Sequence, residues 1–233
     1  INHSLMAEIE SVLTRTPDVN RALSRLLSGR GTPRDLKNVS EFLSILDTIK
    51  NTGKKLDTTL ADKFAGINTH DDLANELISA LNDELPTFFR DGNVIRKGFN
   101  PSLDKMRNLS NGAMETIAGL QAQYISETNV NTLKIKYNNI LGYFIEVPST
   151  RADALMAPES GFIHRQTMAG NLRFTTPALI DLDNDVRSAS EKAAAIESDI
   201  INELIEKIRT VSNDLMNTAD LVADIDVWLS LAT

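Results

Sequence analysis

The chain has 233 residues, 42% hydrophobic and 24% charged, with no cysteine and a formal net charge of −8. That is ordinary globular composition, long enough for one or two domains with a real core; it excludes disulfides, thiolate chemistry and cysteine-based zinc or iron–sulfur sites. The acid excess argues against a generally sticky nucleic-acid binder, so any DNA contact has to come from a local patch. No apolar run approaches the roughly 20 residues that span a bilayer. The N-terminus has no basic-then-apolar signal pattern, and both facts favour the cytoplasm.

Leu5, Ile9 and Val12 stand at helical spacing. Thr16-Pro17 reads as an N-cap followed by proline at the first helical position, opening a helix whose apolar face is Val19, Leu23, Leu26 and Leu27 and which Gly29 stops. Thr32-Pro33 repeats the signal. Leu36, Val39, Phe42, Leu43, Leu46 and Ile49 follow at spacings of three and four, with Gly53 as terminator. A shorter helix is expected from Asp57 to Ala65, and Thr69 reads as the cap of another that carries Leu73, Leu77, Ile78 and Leu81. Asp91-Gly92, between Phe88-Phe89-Arg90 and Val94-Ile95, is the strongest short hairpin signal in the chain.

Asn100-Pro101 starts a long helix with Leu103, Met106, Ser110, Met114, Ile117, Leu120 and Tyr124 on one face. Gly112 and Gly119 weaken it by up to about 1 kcal/mol each relative to alanine, so it depends on packing. Thr176-Pro177 starts a second. Its seam runs Leu179, Leu182, Val186, Ala189, Ala193, Ile196, Ile200, Leu204, Ile208, and the two alanines admit a close partner. About 30 such residues reach about 45 Å, the length of an arm. A final helical stretch holds Leu215 to Leu229, with a break expected near Ser212-Asn213 and Trp228 in a core or interface.

Between the long helices the period changes. Leu133, Ile135 and Tyr137 alternate with Lys134 and Lys136; Tyr143 to Val147 is a second strand, and Asn138-Asn139 is turn chemistry. Phe162 to Thr167 and Leu172 to Thr176 form a second hairpin around Ala169-Gly170-Asn171. The expected fold is therefore mainly α with a small inserted β domain. The ends of that insert must enter and leave close together, so the long helices should lie side by side and antiparallel.

Enzyme signatures are missing from this sequence: it has no Gly-x-x-x-x-Gly-Lys-Ser/Thr phosphate loop, no His-Glu-x-x-His and no Gly-x-Ser-x-Gly. His3, His70 and His164 are scattered and read as satisfied surface or strand residues. Asp181-Leu-Asp-Asn-Asp185 is an acidic first turn that suits the helix dipole better than a metal. From Leu133 to Pro177 there are five basic and three acidic residues, a net +2 within a chain of −8. A basic tip on acidic arms suits backbone-directed DNA binding. Charge alone favours the plainer alternative of a half-solvated sheet.

The run from Lys136 to Pro148, followed by Phe162 to Pro177, resembles the clamp of the MutS mismatch-repair ATPase family. Thr32-Pro-Arg-Asp-Leu36 and Asp91-Gly-Asn-Val-Ile95 with Phe99-Asn100 are similar to its core-domain motifs, and the resemblance covers all but about the first 15 residues. It implies a helical core over residues 1–100, a first lever helix over 101–130, a β-rich clamp over 131–176, and a second lever with the return to the core over 177–233. It further implies that a mismatch-reading domain precedes this region and an ATPase follows. This segment would then be no enzyme and hold no cofactor, with ATP and Mg²⁺ belonging to the whole protein. The implied partners are double-stranded DNA, a second copy in a homodimer and a MutL-type repair protein, with no membrane; the implied location is cytoplasmic, at the bacterial nucleoid. The clamp residues carried over as DNA-backbone contacts are Ser149, Arg151, Arg165, Thr167, Gly170, Asn171 and Arg173, whose hydroxyl, amide and guanidinium groups suit phosphate oxygens. Ala169 departs from the pattern, since many relatives place a basic residue near this turn. The rival reading is a helical scaffold whose β tip binds another protein and never meets DNA.

Overall fold

The structure, a computed structural model, describes residues 16–55 and 59–231 together with Ser11 and Leu13. The expected helix through Leu5, Ile9 and Val12, the residue Asp57, and the side chain of Trp228 lie outside the described residues. Two compact units divide the chain: residues 1–100 with 196–233, and residues 101–195.

In the first unit α1 spans Val19–Leu27, two residues later than Thr16-Pro17 implies. Asp18 is its N-cap, because its carboxylate accepts the Arg21 N–H at 3.0 Å. α2 (Pro33–Gly53) starts as expected: Thr32 accepts from the Asp35 N–H, and Asp35 accepts from the Thr32 N–H, a complete capping box. Leu36, Val39, Phe42, Leu43, Leu46 and Ile49 are all buried along this helix. It ends where α3 (Thr59–Ala65) crosses it: a Cβ on Gly53 would come within 2.0 Å of the Phe64 ring. The next helix, α4 (Asp71–Ala80), is capped by His70 rather than Thr69. The His70 N–H donates to Asn68 and its ring reaches Asp214 at 2.7 Å; between these two ties the residue takes a left-handed φ of 47°, so helical geometry starts only at Asp71.

The expected hairpin at Asp91-Gly92 does not form. Asp91 folds back to accept the Phe88 N–H at 3.0 Å, closing a 3-10 turn over Phe89–Asp91. Ile95 bridges Leu81 instead, with Asn82 N–H donating to the Val94 carbonyl at 2.9 Å. The amides of 93–95 are also claimed by a carboxylate from the last helix. Glu197, 5% exposed, accepts from Asn93 at 3.2 Å, Val94 at 2.7 Å and Ile95 at 2.9 Å. With those donors taken, Phe88 to Arg90 form no ladder with 93–95 among the described residues.

In the second unit the expected first long helix is two helices, α5 (Pro101–Asn111) and α6 (Ala113–Thr128). The interruption is one residue. Gly112 keeps a right-handed helical φ of −65° and still donates to the Asn108 carbonyl at 2.8 Å, so the helix is loosened there rather than turned. The last helix, α8 (Pro177–Leu231), has 55 residues and no break near Ser212-Asn213; Ser212 bonds its hydroxyl to the Arg209 carbonyl and stays helical. Its residues 177–195 belong to this unit and run antiparallel to α5 and α6. Ser110 meets Ser190 at 2.8 Å and Tyr124 meets Thr176 at 2.7 Å, so numbers rise along one side as they fall along the other. Ala189 is buried, whereas Ala193 is half-buried.

Four antiparallel strands form one sheet of order β1-β2-β4-β3: β1 Lys134–Asn138, β2 Gly142–Pro148, β3 Ile163–Met168 and β4 Asn171–Thr175. One face packs on a core of Tyr124, Val130, Leu133, Ile145, Val147, Leu155, Phe174 and Leu179. A short helix, α7 (Asp153–Met156), adds Leu155 to that core. Alternation thus produced the strands as the sequence implies, with apolar Ile145, Val147 and Phe174 inward and Glu146 and Arg173 outward.

Candidate nucleic-acid interface

Antiparallel pairing brings most of the candidate residues to one end of the sheet. Pro148 is opposite Asn171, and Thr167 is opposite Leu172. The chain leaves β2 into a 3-10 turn, Ser149–Arg151, and the Ser149 N–H donates to the Gly170 carbonyl at 3.0 Å. Ser149, Arg151, Thr167, Gly170 and Asn171 are thereby gathered around the β3–β4 turn. Gly170 turns there with a φ of +83°, a conformation that favours glycine. All of these except half-buried Asn171 are exposed.

Arg165 stands elsewhere. β3 is an edge strand whose six residues are all exposed, and the register slips between His164 and Gln166. Arg165 is the extra residue of that bulge, a device that re-aims a side chain. Its neighbour His164 is satisfied, at 3.0 Å from the Thr167 hydroxyl and edge-on to the Phe174 ring. Among the described residues Arg151 and Arg165 make no ion pair, so both cations are available to an anion.

Arg173 is in a different situation. It lies mid-sheet on the outward face, opposite Glu146 on one side and Gln166 on the other. Its Nε donates to Glu146 Oε2 at 3.1 Å and Nη1 to Gln166 Oε1 at 3.0 Å. The guanidinium covers the Phe144 ring at 4.6 Å, which leaves that aromatic only 3% exposed on an otherwise polar face. Lys136 donates to the other Glu146 oxygen at 2.6 Å. The bond from Lys136 holds the Glu146 carboxyl below its ordinary range; burial opposes this, and the bond from Arg173 adds to it. Sequence reasoning missed Glu146. Its alternation with Ile145 and Val147 marks it as outward, yet its partners come from strands ten and twenty-seven residues away.

At the opposite end of the sheet, the β1–β2 turn exposes Ile140 (92%) and Tyr137 (58%). The Tyr137 and Tyr143 rings meet at a tilt of 59° with centroids 5.1 Å apart, and burial, then the Asp183 carboxylate and Tyr137, raise the Tyr143 hydroxyl above its usual pKa. Among the described residues no group of three or more histidines or carboxylates is placed to hold a metal, and no helix is long and apolar enough to cross a membrane.

Mainly helical, with one small antiparallel sheet inserted between paired helices, the chain has the class of architecture its periodicity implies. Residues 98–192 match the profile of MutS family domain IV. The chain is 40% identical over 235 residues to the DNA mismatch repair protein MutS of Rhodopseudomonas palustris (strain BisB5), 40% over 231 to that of Erythrobacter litoralis and 41% over 238 to that of Bartonella tribocorum. Each match covers at least 98% of this chain and 26% of the relative, so the chain spans about a quarter of the length of the curated relatives it matches. The chain belongs to the MutS family, as a segment of it.

Proposed function

We propose that residues 131–176 are a clamp that holds the backbone of duplex DNA without reading its sequence. In this reading α5 with α6, and α8, are the levers that join it to the rest of a mismatch-repair protein, and residues 1–100 are its helical core. The observation that carries the reading is the end of the sheet where Ser149, Arg151, Thr167, Gly170 and Asn171 converge, with Arg165 aimed from the edge bulge. Hydroxyls, amides and unpaired guanidinium groups are what phosphate oxygens accept from, and such contacts carry no direct sequence information. ATP and Mg²⁺ then act in a part of the protein outside this segment. A homodimer brings two such tips to one duplex, and a MutL-type protein is the partner that responds.

The test is DNA affinity across a salt series, in the whole protein that carries this chain. Each phosphate neutralised contributes about −0.9 to the slope of log K against log salt, so Arg151→Ala with Arg165→Ala should flatten the slope by about 1.8. Matched and mismatched duplexes should lose affinity alike. An unchanged slope removes these arginines from the interface. One observation favours the rival, protein-binding reading: the exposed Ile140 and Tyr137 at the first hairpin. That reading gains if the double arginine variant binds DNA normally.

A further inference from the structure

The outward face of the sheet carries more positive charge than it presents. Lys134, Lys136 and Arg173 all project there, yet two of the three converge on one carboxylate. Glu146 takes Lys136 on Oε1 at 2.6 Å and Arg173 on Oε2 at 3.1 Å, and its side chain is only 14% exposed. Both oxygens are therefore occupied, each by a different strand: Lys136 from β1, Arg173 from β4, with Glu146 on β2 between them. Arg173 is further tied by Gln166 and by the face of Phe144. Lys136 is not. Its side chain is 48% exposed, and among the described residues its one ion-pair partner is Glu146.

We propose that Glu146 is an affinity-limiting residue of the DNA-binding surface: it withholds Lys136 and Arg173 from phosphate, so that the grip is left to the cations it does not hold and to exposed polar groups. This rests on the DNA-binding reading above. A phosphate approaching the sheet face meets a trio of net charge +1 whose hydrogen-bonding capacity is already turned inward. To recruit Lys136 it has to compete with a charge-assisted bond that is partly shielded from water, where such pairs are strongest. Glutamine in place of Glu146 keeps the shape and one acceptor oxygen. It removes the charge, leaving Lys136 free to swing toward solvent and Arg173 uncompensated over Phe144. A weak grip also suits a contact that follows the backbone without choosing a position along it.

The experiment uses the whole protein, a duplex of about 30 base pairs and fluorescence anisotropy from low to physiological salt. Glu146→Gln should bind at least about three-fold more tightly at the low-salt end, with a slope steeper by about 0.9 to 1.8, one or two added phosphate contacts. Adding Lys136→Gln to Glu146→Gln should return most of that gain. Lys136→Gln alone should change the slope less than Arg165→Ala does, because the lysine it removes is already withheld; this arm does not depend on how Glu146→Gln folds. Equal or weaker binding by Glu146→Gln, or a Lys136→Gln loss as large as that of Arg165→Ala, overturns the proposal. The arginine variants separate the two levels. If Arg151→Ala with Arg165→Ala binds like wild type while Glu146→Gln tightens, the turn-centred reading falls and the limiting role stands. The reverse pattern removes the role and keeps the reading.

Discussion

A buried carboxylate is costly unless its oxygens are filled, and the two carboxylates that matter most here are filled in different ways. Glu197 is filled by three successive backbone amides. Glutamine presents an NH₂ where one oxygen accepted, so Glu197→Gln should cost about 1–3 kcal/mol, read by chemical denaturation; a loss below a few tenths would contradict the geometry. Glu146 is filled by two cations, and its carboxyl is held below the ordinary carboxylate range. A group whose folded pKa is depressed stabilises the fold above its unfolded value, and that contribution is lost as pH falls through the folded value. Wild type should therefore lose stability relative to Glu146→Gln on acidification below the ordinary carboxylate range, and the gap between their melting curves should close there. Gly142 is a third sensitive point. It combines a φ of +68° with a position where a Cβ would lie 2.6 Å from the Asp183 carboxylate. Gly142→Ala should cost about 1–3 kcal/mol. Adding Asp183→Ala should recover the contact part of that loss and not the part due to φ.

At the level of elements, the strands and the start of α2 were legible from neighbouring residues alone. Alternation and the Asn138-Asn139 turn define β1 and β2; the slight strand-end differences, such as β2 beginning at Gly142, are within normal fraying. Thr32, Pro33 and Asp35 announce α2 because a capping box needs only four neighbouring residues. Some failures are local: Asp18 rather than Thr16 caps α1, Gly112 interrupts the first long helix, and Ser212 stays helical. Others turn on a distant partner. Asp91-Gly92 has hairpin chemistry, but Glu197 lies about a hundred positions on and takes the amides. Thr69 has cap chemistry, but Asp214 holds His70. The site divides along the same line: the β3–β4 turn was legible from turn residues, whereas the trio on Glu146 needs three strands in register. The paired helices give a test at this scale. Ala189, 5% exposed, is the close-contact position of α8 within the second unit, near Ala113 at 4%. Ala189→Glu should cost about 2–4 kcal/mol, more than the same change at half-buried Ala193, and thermal melts of the two variants check the order.

For the molecule as a whole, this sequence has no phosphate loop to cradle a triphosphate, and the chain by itself should turn over no ATP. Turnover by a clean preparation that a single substitution within these residues abolishes would overturn this. There remains the open border of the sheet. Among the described residues β3 has no neighbour on its outer side, and it carries half-exposed Ile163 and Met168, the makings of a template on which a second chain could lay its own strand. The bulge denies that template. An extra residue at Arg165 throws the outer row of amides and carbonyls out of step, and the residue inserted there is a charged one. Arg165 is therefore expected to limit edge-to-edge association. Deleting it, which would restore an even ladder, should make the protein scatter light on concentration, while Arg165→Lys should leave it clear.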